Sequence, residues 1–283
     1  LLLARNPDYA VMEVSDEFLR LKIEQECMRE DMKNNVKKVK IDSSSELHLI
    51  DFSAYSEDFI KDFESHLSSI CVGKLGKKLS LIKLRLREFL YSKDDNTRSG
   101  AIAELFIAYY LKNAGYKQEY LFFNLEEGSI KKGFDGVFSM KKKSYLMESK
   151  STLPSTKNKS HRSKINEAYT DLKNYVEGRS KKGKNNPWRN AYNHASHCDV
   201  KTSQSIKKKL DKLADKFDER KYIKVRLVNI IPCSTIFGLT KDACPNQVAE
   251  DDYDYIKNLE ANSKVILCIK SRNINDFISY LEN

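Results

Sequence analysis

Long apolar runs are missing from this chain. Hydrophobic residues make up 40% of its 283 positions, yet none of their runs approaches the roughly 20 residues needed to cross a bilayer, so no membrane span is expected. The opening Leu1-Leu2-Leu3-Ala4 is too short for a signal-peptide core, and no basic segment precedes it. The chain starts on Leu1 rather than methionine, from which further residues upstream are expected. The six cysteines (Cys27, Cys71, Cys198, Cys233, Cys244, Cys268) never pair as CxxC, and several sit among apolar neighbours, as in Val265-Ile266-Leu267-Cys268-Ile269. That is the pattern of reduced thiols in a cytoplasmic protein, not of a disulfide framework. No G-x-x-x-x-G-K-[ST] phosphate loop is present, so ATP binding by this chain is not expected. No Ser-His-Asp or Cys-His arrangement stands out, and His194, His197 and Cys198 in NHASHC match no common zinc spacing.

Charge is plentiful and unevenly placed. Lys and Arg number 50 against 40 Asp and Glu, a net +10. Residues 141–190 hold 14 basic and 4 acidic side chains; 50 less 14 and 40 less 4 leave 36 of each sign elsewhere. The whole surplus therefore lies in one segment, which is the footprint expected for a polyanion such as nucleic acid. Its candidates for phosphate contact are Lys157, Lys159, Arg162, Lys164, Lys173, Lys181, Lys182, Lys184 and Arg189. Contacts of that kind hold a duplex without reading its sequence. Aromatic residues among them are sparse, which argues against base stacking as the main binding mode.

Hydrophobic periodicity predicts helices over 16–34, 56–72, 79–91, 97–114, 164–176, 200–217 and 274–281, and strands over 36–41, 46–52, 119–125, 222–231 and 264–269. Asn96 or Thr97 is the expected cap of the fourth helix and Gly115 its stop. Glu126-Glu127-Gly128 reads as a turn, and the Gly-, Asn- and Lys-rich stretch around Trp188 as a loop. The polar segment 92–97 is the best boundary, giving a smaller N-terminal α/β region over 1–93 and a second unit over 94–283. The order of elements predicts an α/β fold, a mixed central sheet flanked by helices.

The chemistry concentrates in GFDGVFSMKKKSYLMESKS, residues 133–151, which reads as a hairpin of two short strands. Glu148 and Lys150, two apart on the second strand, share a face. Asp135, between Gly133 and Gly136, opens the first. Upstream, Ala101 to Leu111 is apolar on every side except for Glu104. A carboxylate in a buried helix needs a partner, either an arginine such as Arg98 or a metal site. Of the other [DE]xK triplets, Asp31-Met32-Lys33 and Asp171-Leu172-Lys173 fall on predicted helices, where residues two apart diverge, and Asp199-Val200-Lys201 and Glu219-Arg220-Lys221 lie at the polar edges of predicted elements. Asp135 and Glu148 supply hard oxygen ligands suited to Mg²⁺, with Mn²⁺ as an alternative. Lys150 is expected to orient a water or stabilise charge on phosphate, and Glu104 to support the metal.

A helix glutamate, then a strand aspartate, then E-x-K on the next strand resembles the PD-(D/E)xK nuclease superfamily over roughly residues 97–176. Phe134 stands where a proline usually precedes the aspartate. The resemblance implies a restriction-endonuclease-like core and metal-dependent phosphodiester cleavage by Glu104, Asp135, Glu148 and Lys150. Within that superfamily, GFDGVF followed by YLMESKS is similar to the nuclease subunits of Hachiman antiviral defence (HamA-like), which implies DNA as substrate and a helicase partner. The alternative is a nuclease-fold subunit that binds nucleic acid or scaffolds a complex without cutting.

Overall fold

Strands in this chain are short apolar runs broken by turns, and seven of them join into one sheet. The computed structural model describes residues 35–123, 133–153, 156, 160–180, 185–238 and 250–282; the helix expected over 16–34 and the turn at 126–128 lie outside them. The strands are β1 (Val36–Lys40), β2 (Ser45–Phe52), β3 (Lys117–Gln118), β4 (Gly136–Met140), β5 (Lys143–Thr152), β6 (Asn229–Phe237) and β7 (Ser263–Ser271). Their order is β1-β2-β7-β6-β5-β4-β3. The middle four run parallel, and antiparallel pairs close both edges. Parallel strands covered on both faces have no polar side, and every residue of β6 is accordingly buried.

The helices are α1 (Glu57–Val72), α2 (Leu79–Tyr91), α3 (Asp95–Asn113), α4 (His161–Val176), α5 (Pro187–Ala195), α6 (Gln204–Asp218), α7 (Glu250–Asn258) and α8 (Ile274–Glu282). One core joins α1, α2, α3 and α8 to the face bearing Met147, Cys233 and Leu267. The other joins α4, α5, α6 and α7 to the face bearing Leu146, Ile230 and Ile266. This is the mixed sheet flanked by helices that the order of elements predicts. The boundary expected at residue 93 falls in the turn before α3, while β2 is hydrogen-bonded along its length to β7, so the N-terminal strands extend the same sheet.

Several elements differ from their predicted form, each for a local reason. The cap of α3 is Asp94, whose carboxylate accepts from the Asn96 and Thr97 backbone and from the Thr97 hydroxyl. The expected caps are instead its donors. Residues 187–195 form a helix rather than a loop, because Pro187 opens it and Asn186 caps Trp188 and Arg189. The basic helix starts at Gln204, not Val200, and β6 runs later than expected, straight through Pro232. The proline cannot donate to the ladder, and β6–β7 pairing skips Ile231 and Pro232. The apolar run 222–231 begins instead in a 3₁₀ turn, Val225–Leu227.

The strand expected over 119–125 does not form in its described part, 119–123; the strand is instead Lys117–Gln118, and Glu119, just past it, turns inward. It is fully buried, and it accepts from Ser139 and Thr202 hydroxyls at 2.5 Å each and from Lys117 at 3.2 Å. Glu119→Ala is therefore expected to strand two buried hydroxyls and cost about 3 kcal/mol. A denaturant midpoint unchanged from wild type would show that the cluster contributes nothing.

Candidate active site

The antiparallel β4–β5 pair sets the hairpin in register, Gly136 opposite Met147, which brings Asp135 level with Glu148. Asp135 accepts from the Ser149 backbone N–H at 2.8 Å, so the carboxylate of one strand is tied to the E-x-K of the next. Gly133 and Gly136 bracket it where a side chain would fit only tightly. A Cβ on Gly133 would lie 3.3 Å from Pro187, and one on Gly136 would lie 3.0 Å from Met147 and Phe138.

Glu148 is 3% exposed. Its Oε1 accepts from Lys150 at 2.7 Å, while its Oε2 is buried with no hydrogen-bond partner among the described residues. Burial, then the nearby Asp135, then Asp171, push its pKa well above the ordinary carboxylate range against the pull of Lys150. Lys150 bridges Glu148 and, at 3.0 Å, Asp171 on α4. Burial works to lower the Lys150 pKa, but Glu148, Asp135 and Asp171 outweigh it and hold the ammonium above its usual value. Lys150 is therefore a fixed cation at neutral pH.

Glu104 lies on the other side. Met147 packs in the α3 core and Leu146 in the α4 core, so alternation sends Glu148 and Lys150 toward α4. Glu104 shares a cavity with Asp135, Gly136 and Met147 between α3 and the sheet edge. Asp135 thus stands where the two faces meet. Arg98, the alternative partner for Glu104, donates to the Leu90 carbonyl and pairs with Asp95.

Two residues on α4 join the site without being expected there. Asp171 belongs to a [DE]xK triplet that falls on a helix and so diverges from its own lysine, yet a helix carboxylate can still face the lysine of a neighbouring strand. Tyr175, one turn on, is held protonated by burial and then by Glu148, Asp171 and Asp135. Of the phosphate-contact candidates, Lys157, Lys159, Lys181, Lys182 and Lys184 lie outside the described residues. The others make ion pairs: Arg162 with Asp252, Lys164 with Glu167, Lys173 with Glu260, and Arg189 with Asp211, Asp215 and Asp218 across α5 and α6. His197, Cys198 and Asp199 offer ligand atoms within 4.8 Å of one another on a largely exposed turn, whereas His194 packs its ring on Tyr120.

The residues fit a hard divalent cation. Two carboxylates converge, and one holds a buried oxygen that nothing among the described residues satisfies, a costly state unless a ligand meets it. Four of the six cysteines lie among the described residues as free thiols, and no described helix is long and apolar enough to cross a membrane. No protein-family model matches the sequence, and no curated protein matches it either.

Proposed function

We propose that this protein is a metal-dependent nuclease that hydrolyses phosphodiester bonds in DNA. The observation that carries the reading is Glu148: a buried carboxylate beside Asp135, with one oxygen on Lys150 and the other unpartnered among the described residues. Asp135 and Glu148 would hold Mg²⁺ or Mn²⁺, which when bound polarises a phosphodiester and offsets the charge that builds on it. Lys150, kept cationic by its three carboxylate neighbours, cannot take a proton from water at neutral pH. Its role is electrostatic, directed at the non-bridging phosphate oxygens. Asp171 holds that ammonium in place from α4. The carboxylates exclude a second anion from the site until a cation offsets them, so DNA binding near Asp135 and cation binding reinforce each other. The basic surplus of residues 141–190 supports a sequence-tolerant grip on the backbone. The resemblance to Hachiman nuclease subunits further supports a role in prokaryotic antiviral defence with a helicase partner.

The test is a supercoiled-plasmid nicking assay with the full chain in Mg²⁺, in Mn²⁺ and in EDTA, each with and without cell extract as a source of partner. Nicking in either metal and none in EDTA is expected. Asp135→Ala should reduce it by at least about 10³-fold, as loss of a metal or transition-state contact does, with circular dichroism unchanged. Full cleavage by that variant overturns the assignment. No cleavage by the wild type under any condition favours the non-cutting, nucleic-acid-binding subunit instead.

A further inference from the structure

The turn that leaves α5 carries three consecutive metal-binding residues that the proposed reaction does not use. His197, Cys198 and Asp199 each offer a ligand atom, and these atoms lie within 4.8 Å of one another. The Asp199 backbone N–H donates to His197 Nδ1 at 3.4 Å, so that nitrogen is an acceptor and carries no proton. The same nitrogen faces the Asp199 carboxylate at 3.7 Å. A lone pair turned toward a carboxylate is repulsive, and a cation between them removes the repulsion. The backbone of the turn is held from three directions. The Asp199 carbonyl accepts from the Lys74 backbone N–H at 3.3 Å, an approach that Gly73 permits, since a Cβ there would lie 2.7 Å from the same oxygen. The Lys201 carbonyl accepts from the Lys117 ammonium at 2.8 Å, and the Thr202 hydroxyl donates to Glu119 at 2.5 Å.

A turn anchored in this way presents its side chains at small ordering cost. His197 and Cys198 are exposed, so packing does not oppose the rotation that brings them to zinc bond lengths of about 2.0–2.3 Å. Thiolate, imidazole and carboxylate together suit a borderline cation, whereas Mg²⁺ takes oxygen alone. The thiol releases its proton on binding. Thiolate and carboxylate then offset the two charges of the ion, so Lys74, Lys117 and Lys201 meet a neutral site. We infer that this turn binds one divalent cation of the zinc class through His197, Cys198 and Asp199, with a fourth position left to water. Common zinc patterns space their ligands along the chain, and three consecutive ligands give no such spacing. His194 stays outside the set, its ring packed on Tyr120. The position is separate from that of Asp135 and Glu148 and does not rest on the nuclease reading.

Titration of the metal-free full chain with Co²⁺ tests it, because a thiolate ligand gives bound Co²⁺ a charge-transfer absorption in the near ultraviolet. One equivalent should raise that band, Zn²⁺ should abolish it, and excess Mg²⁺ should leave it. Cys198→Ser should lose the band, and His197→Ala and Asp199→Asn should each weaken binding at least about tenfold. Asp135→Ala should keep the band, and its loss there would place the ion elsewhere and overturn the proposal. No band in the wild type, a band that survives Cys198→Ser, or undiminished binding by His197→Ala has the same consequence. A second measurement uses the wild type alone. The other three described cysteines are buried, so among them Cys198 is the one open to alkylation. Saturating Zn²⁺ should slow its alkylation, followed on its own peptide by mass spectrometry, at least about tenfold. An unchanged rate sinks the site, whatever the variants do.

Discussion

Glu148→Gln should abolish cleavage and at the same time make the metal-free protein more stable. Both effects come from one buried oxygen. Oε2 has no hydrogen-bond partner among the described residues, and an unsatisfied buried polar group costs about 1–3 kcal/mol. Burial and the charge of Asp135 raise the pKa of the carboxyl, so the native state binds a proton that the unfolded chain has already released. Stability follows the difference in bound protons between unfolded and native states. Here the native state binds more, so wild-type stability in EDTA falls as pH rises from the ordinary carboxylate pKa through the raised native one. The amide that replaces the carboxyl has no such proton to lose. The variant's stability should stay flat across that window, and exceed wild type by about 1–2 kcal/mol at its upper end. Saturating Mg²⁺ should reverse the ranking. A ligand at about 100 times its Kd stabilises by about 2.7 kcal/mol, and only the wild type keeps the carboxylate to benefit. Thermal melts of both proteins from about pH 5 to 8, with EDTA and with Mg²⁺, check this linkage. Parallel pH dependence of the two would mean that Glu148 is satisfied in solution.

The same conflict between a charge and its surroundings is why much of the site is legible in the sequence and part is not. A carboxylate inside an apolar helix, or at the end of an apolar strand, is out of keeping with its neighbours, and such conflicts mark functional sites. Glu104, Asp135 and Glu148 each stand in one and are visible by composition alone. Asp171 does not. Asp171 lies on an amphipathic helix, where a carboxylate on the polar side is ordinary. Only the crossing of α4 over β5 turns it onto Lys150. The fold divides likewise. Helices α1 and α2 carry strong three-and-four spacing and appear where periodicity places them. Helix α5, in contrast, is nine residues in a polar stretch, held by Arg189 reaching three aspartates of α6. Strand β6 shifts past its predicted end because parallel pairing on both sides outweighs the missing N–H of Pro232.

Lys150→Met should lower both cleavage and stability, because Lys150 serves the chemistry and the local balance of charge at once. Its ammonium contacts Glu148 at 2.7 Å and Asp171 at 3.0 Å, with side chains 4% and 18% exposed. Methionine keeps the apolar stem and removes only the charge, so what is lost is the pair rather than the packing. Cleavage should fall by about 10²–10³-fold, the scale for removing one donor aimed at developing charge. Breaking a buried pair from one side costs about 3–5 kcal/mol when the other charge must stay. Glu148 has an exit, since its pKa is already raised and losing Lys150 raises it further. The carboxyl takes up a proton instead, so destabilisation at neutral pH should be about 2 kcal/mol. The sign of the pH dependence follows from both partners. The native Lys150 pKa lies above its unfolded value, so its contribution is present throughout the range below the lysine pKa and is lost only at high pH. Glu148 limits it at the acid end, since protonating the carboxyl removes the partner. The deficit of Lys150→Met should therefore shrink as pH falls below the raised Glu148 pKa and widen as pH rises above it, whereas a simple packing defect would give one constant deficit. Lys150→Arg should not rescue it, because a planar guanidinium cannot occupy a point position between two carboxylates without moving one of them. Chemical denaturation across that pH range, read beside plasmid nicking, separates the two roles. A deficit that does not change with pH would mean that Lys150 and Glu148 are not coupled, and the site would have to be rebuilt around Asp135 alone.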